Sequence, residues 1–341
     1  MSKLVAANLV VLMLVSSRLV SQDGNRDCEA PLPVVVHGKW GFIDKTGEVV
    51  IQPQFDGASY FSEGIAAVSV NKQGAYINAK GDFVIKPQPL GGGPFSEGLA
   101  FFVVDNKWGF IDRTGKIAIP ATFIGANSFS GGLAFVVTKE DKRGFIDRTG
   151  RMALGPYSGA VFEFSEGLAA VQVGEKMGYM DRTGRIVIPA RFEGANRFSE
   201  GLAAVRIGEK LGYIDKTGSV VINPQFDSTS EFSEGYAAVE INNKHGYIAK
   251  SGDFVIPPQY HIAHPFSEGL AAVQLGEKWG YIDKNGMLVI TPQFDLPGSF
   301  CGGLAQVSVG QWVGDTVRGR RFEGKFGYID HRGEFVWPPQ D

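Results

Sequence analysis

Acidic side chains recur along this 341-residue sequence at a fixed interval. Asp44, Asp112, Asp147, Asp181, Asp215, Asp283 and Asp330 each stand three residues before a glycine, with Asn78 and Ala249 in the same place in two further copies. Carboxylates repeated at one period could line a ladder of calcium sites. The same residue also caps turns by accepting backbone amides, and Asn does that without a metal. The turn reading is preferred. A second carboxylate column belongs to the stretch F-S-E-G: Glu63, Glu97, Glu166, Glu200, Glu234 and Glu268, replaced by Gly131 and Gly302. Acids on one face could serve an enzyme acting on glycans. An enzyme, however, has one unique site, whereas these acids recur in most copies. The Glu column is therefore read as a loop cap or solvated surface, and no catalytic residue is assigned.

Other chemistry-bearing groups are sparse. His245, His261 and His264 cluster in sequence, but zinc needs three or four ligands in a defined shell, and no Cys or clear carboxylate accompanies them. No metal ligand and no cofactor-binding residue is assigned. No G-x-S-x-G, P-loop, H-E-x-x-H or dinucleotide fingerprint occurs. Lysines recur at Lys39, Lys107, Lys142, Lys176, Lys210, Lys244, Lys278 and Lys325, and a second basic column follows the Asp column. Both are read as a solvated mixed-charge face that keeps sheet edges from pairing. One segment departs from the pattern: residues 310–323, "GQWVGDTVRGRRFE". Its Trp312, Arg318, Arg320 and Arg321 form the candidate partner-binding loop, because insertions in repeat arrays become loops and Trp and Arg are common hot-spot residues.

Composition bounds the remaining classes. The chain is 44% hydrophobic and 20% charged, which suits a folded protein, and its 46 glycines suit turn-rich β structure better than helix. The formal net charge is −3, with no basic run, so a nucleic-acid partner is not expected. Lys3 precedes an apolar run from Leu4 to Val15, followed by Ser16, Ser17 and Ser21. That is the plan of a secretory signal over residues 1–21, cleaved after Ser17 or Ser21. This twelve-residue run, eleven of it apolar, is too short to span a bilayer, so no stable membrane span is expected once the signal is removed. Cys28 and Cys301 lie near opposite ends, so a bridge would require those ends to meet, and two free thiols are the simpler expectation.

The elements that carry these columns come from a repeat. A turn glycine appears at Gly47, Gly81, Gly115, Gly150, Gly184, Gly218, Gly252, Gly286 and Gly333, spaced mostly by 34 residues, with 13 extra before the last. Residues 34–341 thus read as nine units behind a 22–33 linker. Each unit predicts three short strands. In one copy these are "LAAVRI" (202–207), "LGYID" (211–215) and "SVVINP" (219–224), the last ending at a proline. An aromatic residue precedes each turn, and the residue before it is Gly in eight units and Ala75 in the other, which implies a close approach of another chain segment. Phe232 and its equivalents are expected to plug the gaps between units, and no amphipathic helix is visible.

The motifs "GKWGFID" (38–44), "FSEGIAAV" (61–68) and "VVIQPQF" (49–55) resemble the WG, or KWG, repeat family, over about residues 34–341. Trp stands at the name-giving place only at Trp40, Trp108 and Trp279. The resemblance implies a β-strand repeat protein, often bacterial, with no general activity to transfer. The fold class expected is all-β: tandem three-stranded repeats of about 34 residues in an open β-solenoid-like array, with a propeller-like ring as the alternative. Propellers typically hold four to eight blades of four strands, and no unit here is split between the termini. The function expected is a non-enzymatic scaffold, secreted or in the cell envelope, binding a protein or cell-wall polymer. An unrecognised glycan-acting enzyme is the alternative.

Overall fold

A computed structural model describes residues 26–89, 91–313 and 321–340. The signal expected over residues 1–21 therefore lies outside the described residues. Every described element is a β-strand, and the strands form nine separate antiparallel sheets, one per repeat. The sheets are numbered here as blades 1 to 9: Leu32–Phe55, Gly57–Gln88, Gly91–Phe123, Gly125–Tyr157, Leu168–Phe192, Gly194–Phe226, Ser228–Tyr260, Ile262–Phe294 and Ala305–Trp337. The first strand, Leu32–Val36, begins before the expected array boundary at residue 34, and the segment ahead of it is tied to the ring: Asp27 donates its amide to the Phe61 carbonyl at 2.9 Å.

Blade 6 shows the local logic. The turn Gly208-Glu209 joins Leu202–Ile207 to Lys210–Asp215, with Gly208 at φ 65°, which a residue with a side chain seldom adopts. The D-x-T-G turn then leads to Val220–Phe226. This third strand does not end at its proline, as the sequence suggested. Tyr213 pairs with Ile222 and Leu211 with Phe226, so the single Gly212 opposes three residues including Pro224. A bulge places the proline where no ladder donor is needed. The same bulge explains the strict glycine column. At Gly109, an added Cβ would lie 2.6 Å from the Ile119 carbonyl oxygen and 2.7 Å from the Ala121 nitrogen. The close approach is thus to the neighbouring strand of the same blade.

Most blades gain a fourth strand that the sequence reading assigned to linking chain. Gly194–Ser199 pairs with Leu202–Ile207, and Gly57–Ser62 with Ile65–Val70, whereas in blades 3, 4, 7 and 8 this strand is two residues long. In blades 5 and 9 it shrinks to single bridges, Val161 to Val171 and Leu296 to Ser308.

Core packing lies between blades. Tyr213, Ile222 and Phe226 of blade 6 pack on Ala237, Val239 and Ile248 of blade 7, with Phe232 between them, all buried. Phe232 fills the gap as expected, and burial of such a ring contributes roughly 1.5–3 kcal/mol. The buried tyrosines add a polar tie to the next blade: Tyr76, Tyr179, Tyr213, Tyr247 and Tyr281 donate their hydroxyls to main-chain carbonyls 17 residues on, at 2.7–2.8 Å.

The array closes on itself, so the open solenoid is not what forms. Leu304 and Tyr328 of blade 9 pack with Leu32, Val34 and Ile43 of blade 1, in the same columns that meet at every internal junction. Tyr328 donates to the Pro33 carbonyl at 3.0 Å, Tyr60 to Gln306 at 3.0 Å, and Trp40 stacks on Phe326 at 5.7 Å. The molecule is a nine-bladed β-propeller ring. Cys28 and Cys301 form a disulfide across the seam, Cα atoms 5.1 Å apart and 273 residues distant in sequence, so the expectation of two free thiols also fails. No blade is split between the termini; the seam is closed instead by side chains and a covalent bond.

Candidate functional site

The repeated acids prove to be ring joints. In six blades the F-S-E-G glutamate has a φ of 51–53°, the left-handed region that favours glycine. This conformation lets the carboxylate reach the following blade. Glu63, Glu97, Glu166, Glu200, Glu234 and Glu268 accept the amides of Gly98, Gly132, Gly201, Gly235, Gly269 and Gly303, at 2.8–3.1 Å. Where Gly replaces Glu, at Gly131 and Gly302, φ remains positive at 59° and 67°. The substitution keeps the backbone and gives up the joint.

The second basic column completes these joints. Arg113, Lys216, Lys250 and Lys284 each pair with the glutamate of the preceding blade, at 2.8–3.1 Å. Burial pushes the Glu63 carboxyl up, but Arg113 and the amides of Gly98 and Glu97 outweigh it, and the acid lies below its ordinary range. Glu166 is lowered for the same kind of reason, through Lys216 and Gly201. Four members of the first lysine column are also paired: Lys39 with Asp56, Lys176 with Glu193 and Lys278 with Asp295, each at 2.6 Å, and Lys210 with Asp227.

The Asp column caps turns. Asp181 accepts the Thr183 amide at 2.8 Å, the Thr183 hydroxyl at 2.5 Å and the Arg185 amide at 3.1 Å. The Thr183 hydroxyl leads the interactions that lower its pKa. Asn78 makes the same amide contacts, at 2.9 and 3.0 Å. The serines of F-S-E-G form a parallel set: Ser62, Ser96, Ser165, Ser199, Ser233 and Ser267 donate to the Phe carbonyl of the next blade at 2.6–2.7 Å. Cys301 occupies that serine place in blade 9, and Cys28 occupies it ahead of blade 1. The seam thus replaces a hydrogen bond by a covalent one.

The histidines do not converge. His245 Nδ1 lies 3.0 Å from the His261 carbonyl, while His264 meets Trp279 in a tilted contact at 4.6 Å and is held below its ordinary pKa, chiefly by burial. Among the described residues no group of three or more His, Cys, Asp or Glu could hold a metal ion. Two surface hollows among the described residues are lined by Glu29, Pro31, Asp44 and Lys45, and by Lys107, Phe123, Thr138 and Glu140.

The described parts of the insertion are paired strand. It lengthens the first hairpin of blade 9, whose strands Ala305–Val313 and Arg321–Ile329 pair from Ala305 with Ile329 out to Val313 with Arg321. Trp312 is 50% exposed and meets Phe322 edge-on at 5.5 Å. Arg318 and Arg320 lie outside the described residues, and Arg321 is placed by its backbone as the first residue of its strand. The lengthened hairpin lies on the rim opposite the D-x-T-G turns, at the other end of the second strands.

Eight successive segments match the family model described as "WG containing repeat": residues 40–73, 75–108, 108–142, 144–176, 177–210, 212–244, 246–279 and 279–311. The chain belongs to this WG-repeat family. The WG ring also has distant likenesses among solved structures. The extracellular domain of the putative hybrid two component system BT3049 from B. thetaiotaomicron is 12% identical at a TM-score of 0.33, over 86% of this chain and 49% of that one. Dihydro-heme d1 dehydrogenase NirN is 12% identical at a TM-score of 0.44, over 93% and 74%. Hsv2p of Kluyveromyces lactis is 9% identical at a TM-score of 0.42, over 67% and 94%. The WG ring spans about half the length of the first of these chains. The comparison with curated proteins found no match.

Proposed function

We propose that the WG ring is an exported, non-enzymatic scaffold that binds a protein or cell-wall polymer through the lengthened hairpin of blade 9. The observation that carries this reading is the hairpin itself. Eight hairpins close with short turns, whereas the ninth extends the paired strands to Val313 and Arg321 and presents Trp312 half-exposed. The acids that could have served catalysis support the non-enzymatic reading, because their oxygens are engaged in turns and inter-blade joints. Export is supported by the disulfide, which persists in oxidising compartments, and by the signal-like segment at residues 1–21.

The test is a pull-down from the native envelope with the mature ring and with a variant lacking Gln311 to Arg321. The deletion is expected to keep the fold and lose the partner. Equal capture by both forms contradicts the assignment of the hairpin.

A further inference from the structure

Three consecutive blades carry a charge pattern that the others lack. Their turns read Asp112-Arg-Thr-Gly-Lys116, Asp147-Arg-Thr-Gly-Arg151 and Asp181-Arg-Thr-Gly-Arg185, so each brings two cations to the D-x-T-G rim. In the other six blades the last of these places holds Glu48, Asp82, Ser219, Asp253, Met287 or Glu334. If the F-S-E-G glutamates and Glu29, which holds that place in blade 1, are included, blades 3 to 5 present six cations against five carboxylates. The remaining blades present six cations against thirteen.

Those five carboxylates are mostly committed. Asp112, Asp147 and Asp181 hold their own turns, Glu97 accepts the amides of Gly131 and Gly132, and Glu166 binds Gly201 and Lys216. Of the six cations, Arg113 pairs with Glu63. Arg182 faces Gly131, where the joint glutamate is missing; it donates to the Gly131 carbonyl at 2.7 Å and lies over Phe164 at 5.0 Å. Lys116, Arg148, Arg151 and Arg185 are exposed and make no ion pair with a described residue. Five cations thus hold positions without a paired carboxylate, on turns fixed by Asp caps and at the interval of the blades.

We propose that this arc binds a linear polyanion whose phosphate or carboxylate groups recur along the chain. This inference rests on the scaffold reading above and places a second contact surface on the opposite rim. Regular rigid cations suit an extended partner, because weak contacts at each blade add along one molecule. Guanidinium groups form bidentate hydrogen bonds to phosphate and carboxylate alike. Ile117, Met152 and Ile186, exposed immediately after the outer cations, offer apolar contact to the polymer backbone.

The experiment measures binding of the full ring to poly(glycerol phosphate), polygalacturonate, neutral dextran and duplex DNA over a series of salt concentrations. The comparison variant carries Lys116→Ser, Arg151→Ser and Arg185→Ser; serine already stands in this place as Ser219, so the turns persist. The ring is expected to bind a charged polymer and not dextran, with affinity falling as salt rises. The phosphate and carboxylate arms tell which anion is preferred. The triple variant should lose about tenfold or more in affinity and reduce the salt slope by up to about three. No binding to either polymer at low salt, equal affinity of the variant, or tighter binding to DNA would each overturn the proposal. The hairpin deletion should leave this binding unchanged, so the arc can fail while the hairpin partner is retained, and the reverse.

Discussion

At the scale of single residues, backbone conformation decides which substitutions the repeat tolerates. Gly184 sits at φ 82°, and an added Cβ would approach the Leu154 side chain of the preceding blade to 3.2 Å. Gly184→Val should therefore destabilise the ring by about 2 kcal/mol or more, since strain and crowding add. Lys210→Ala removes one exposed pair with Asp227 and should leave the thermal midpoint nearly unchanged. Equal losses in the two variants, measured by thermal unfolding, would contradict this ranking. Acid should act on the same residues. Asp44, Asp112, Asp147, Asp181, Asp215, Glu63 and Glu166 all have depressed pKa values in the folded state. Their contribution is complete above the unfolded values near 4 and is lost as pH falls through the folded ones. Stability should be flat around neutral pH and drop below about pH 4. Asp181→Asn should shrink that drop, because Asn78 shows that an amide oxygen can hold the turn. An unaltered pH profile in this variant would contradict the role of the cap.

At the scale of the element, much of the blade was legible in the sequence. The D-x-T-G spacing fixed the turn, the apolar alternation fixed the three main strands, and Phe232 marked the junction. The fourth strand was not legible, because two residues such as Ser228–Thr229 leave no alternation to detect. The proline does not end the strand, because a bulge opposite glycine accommodates it inside. The glutamate joints were hidden because their partners lie 35 residues on, though alternation of Glu with Gly alone was a signal for positive φ. Among the described residues of the extension, Gln311, Trp312 and Val313 belong to neither the blade core nor the joints. Deletion of Gln311 to Arg321 should accordingly leave the thermal midpoint within a few degrees of the parent, and loss of cooperative unfolding would contradict that independence.

At the scale of the whole molecule, curvature is the property the repeat did not reveal. Each junction uses the same columns, and a small error in inter-blade angle separates a ring from an open array over nine units. One clue was present: Cys28 and Cys301 both occupy the serine place of F-S-E-G, which marks them as neighbours in a closed ring. Blade 1 has no Phe in its plug position, which holds Asp27, and Gly302 leaves room for the Cys28 carbonyl. The disulfide therefore reinforces a junction that lacks the Phe plug. Replacing both cysteines with serine should lower stability by roughly 2–5 kcal/mol while the apolar seam keeps the ring closed. Small-angle scattering of the oxidised protein tests closure most directly. A closed ring predicts a compact disc with a radius of gyration of about 20 Å, the value for a compact chain of this length. An elongated particle with a much larger radius of gyration would contradict it.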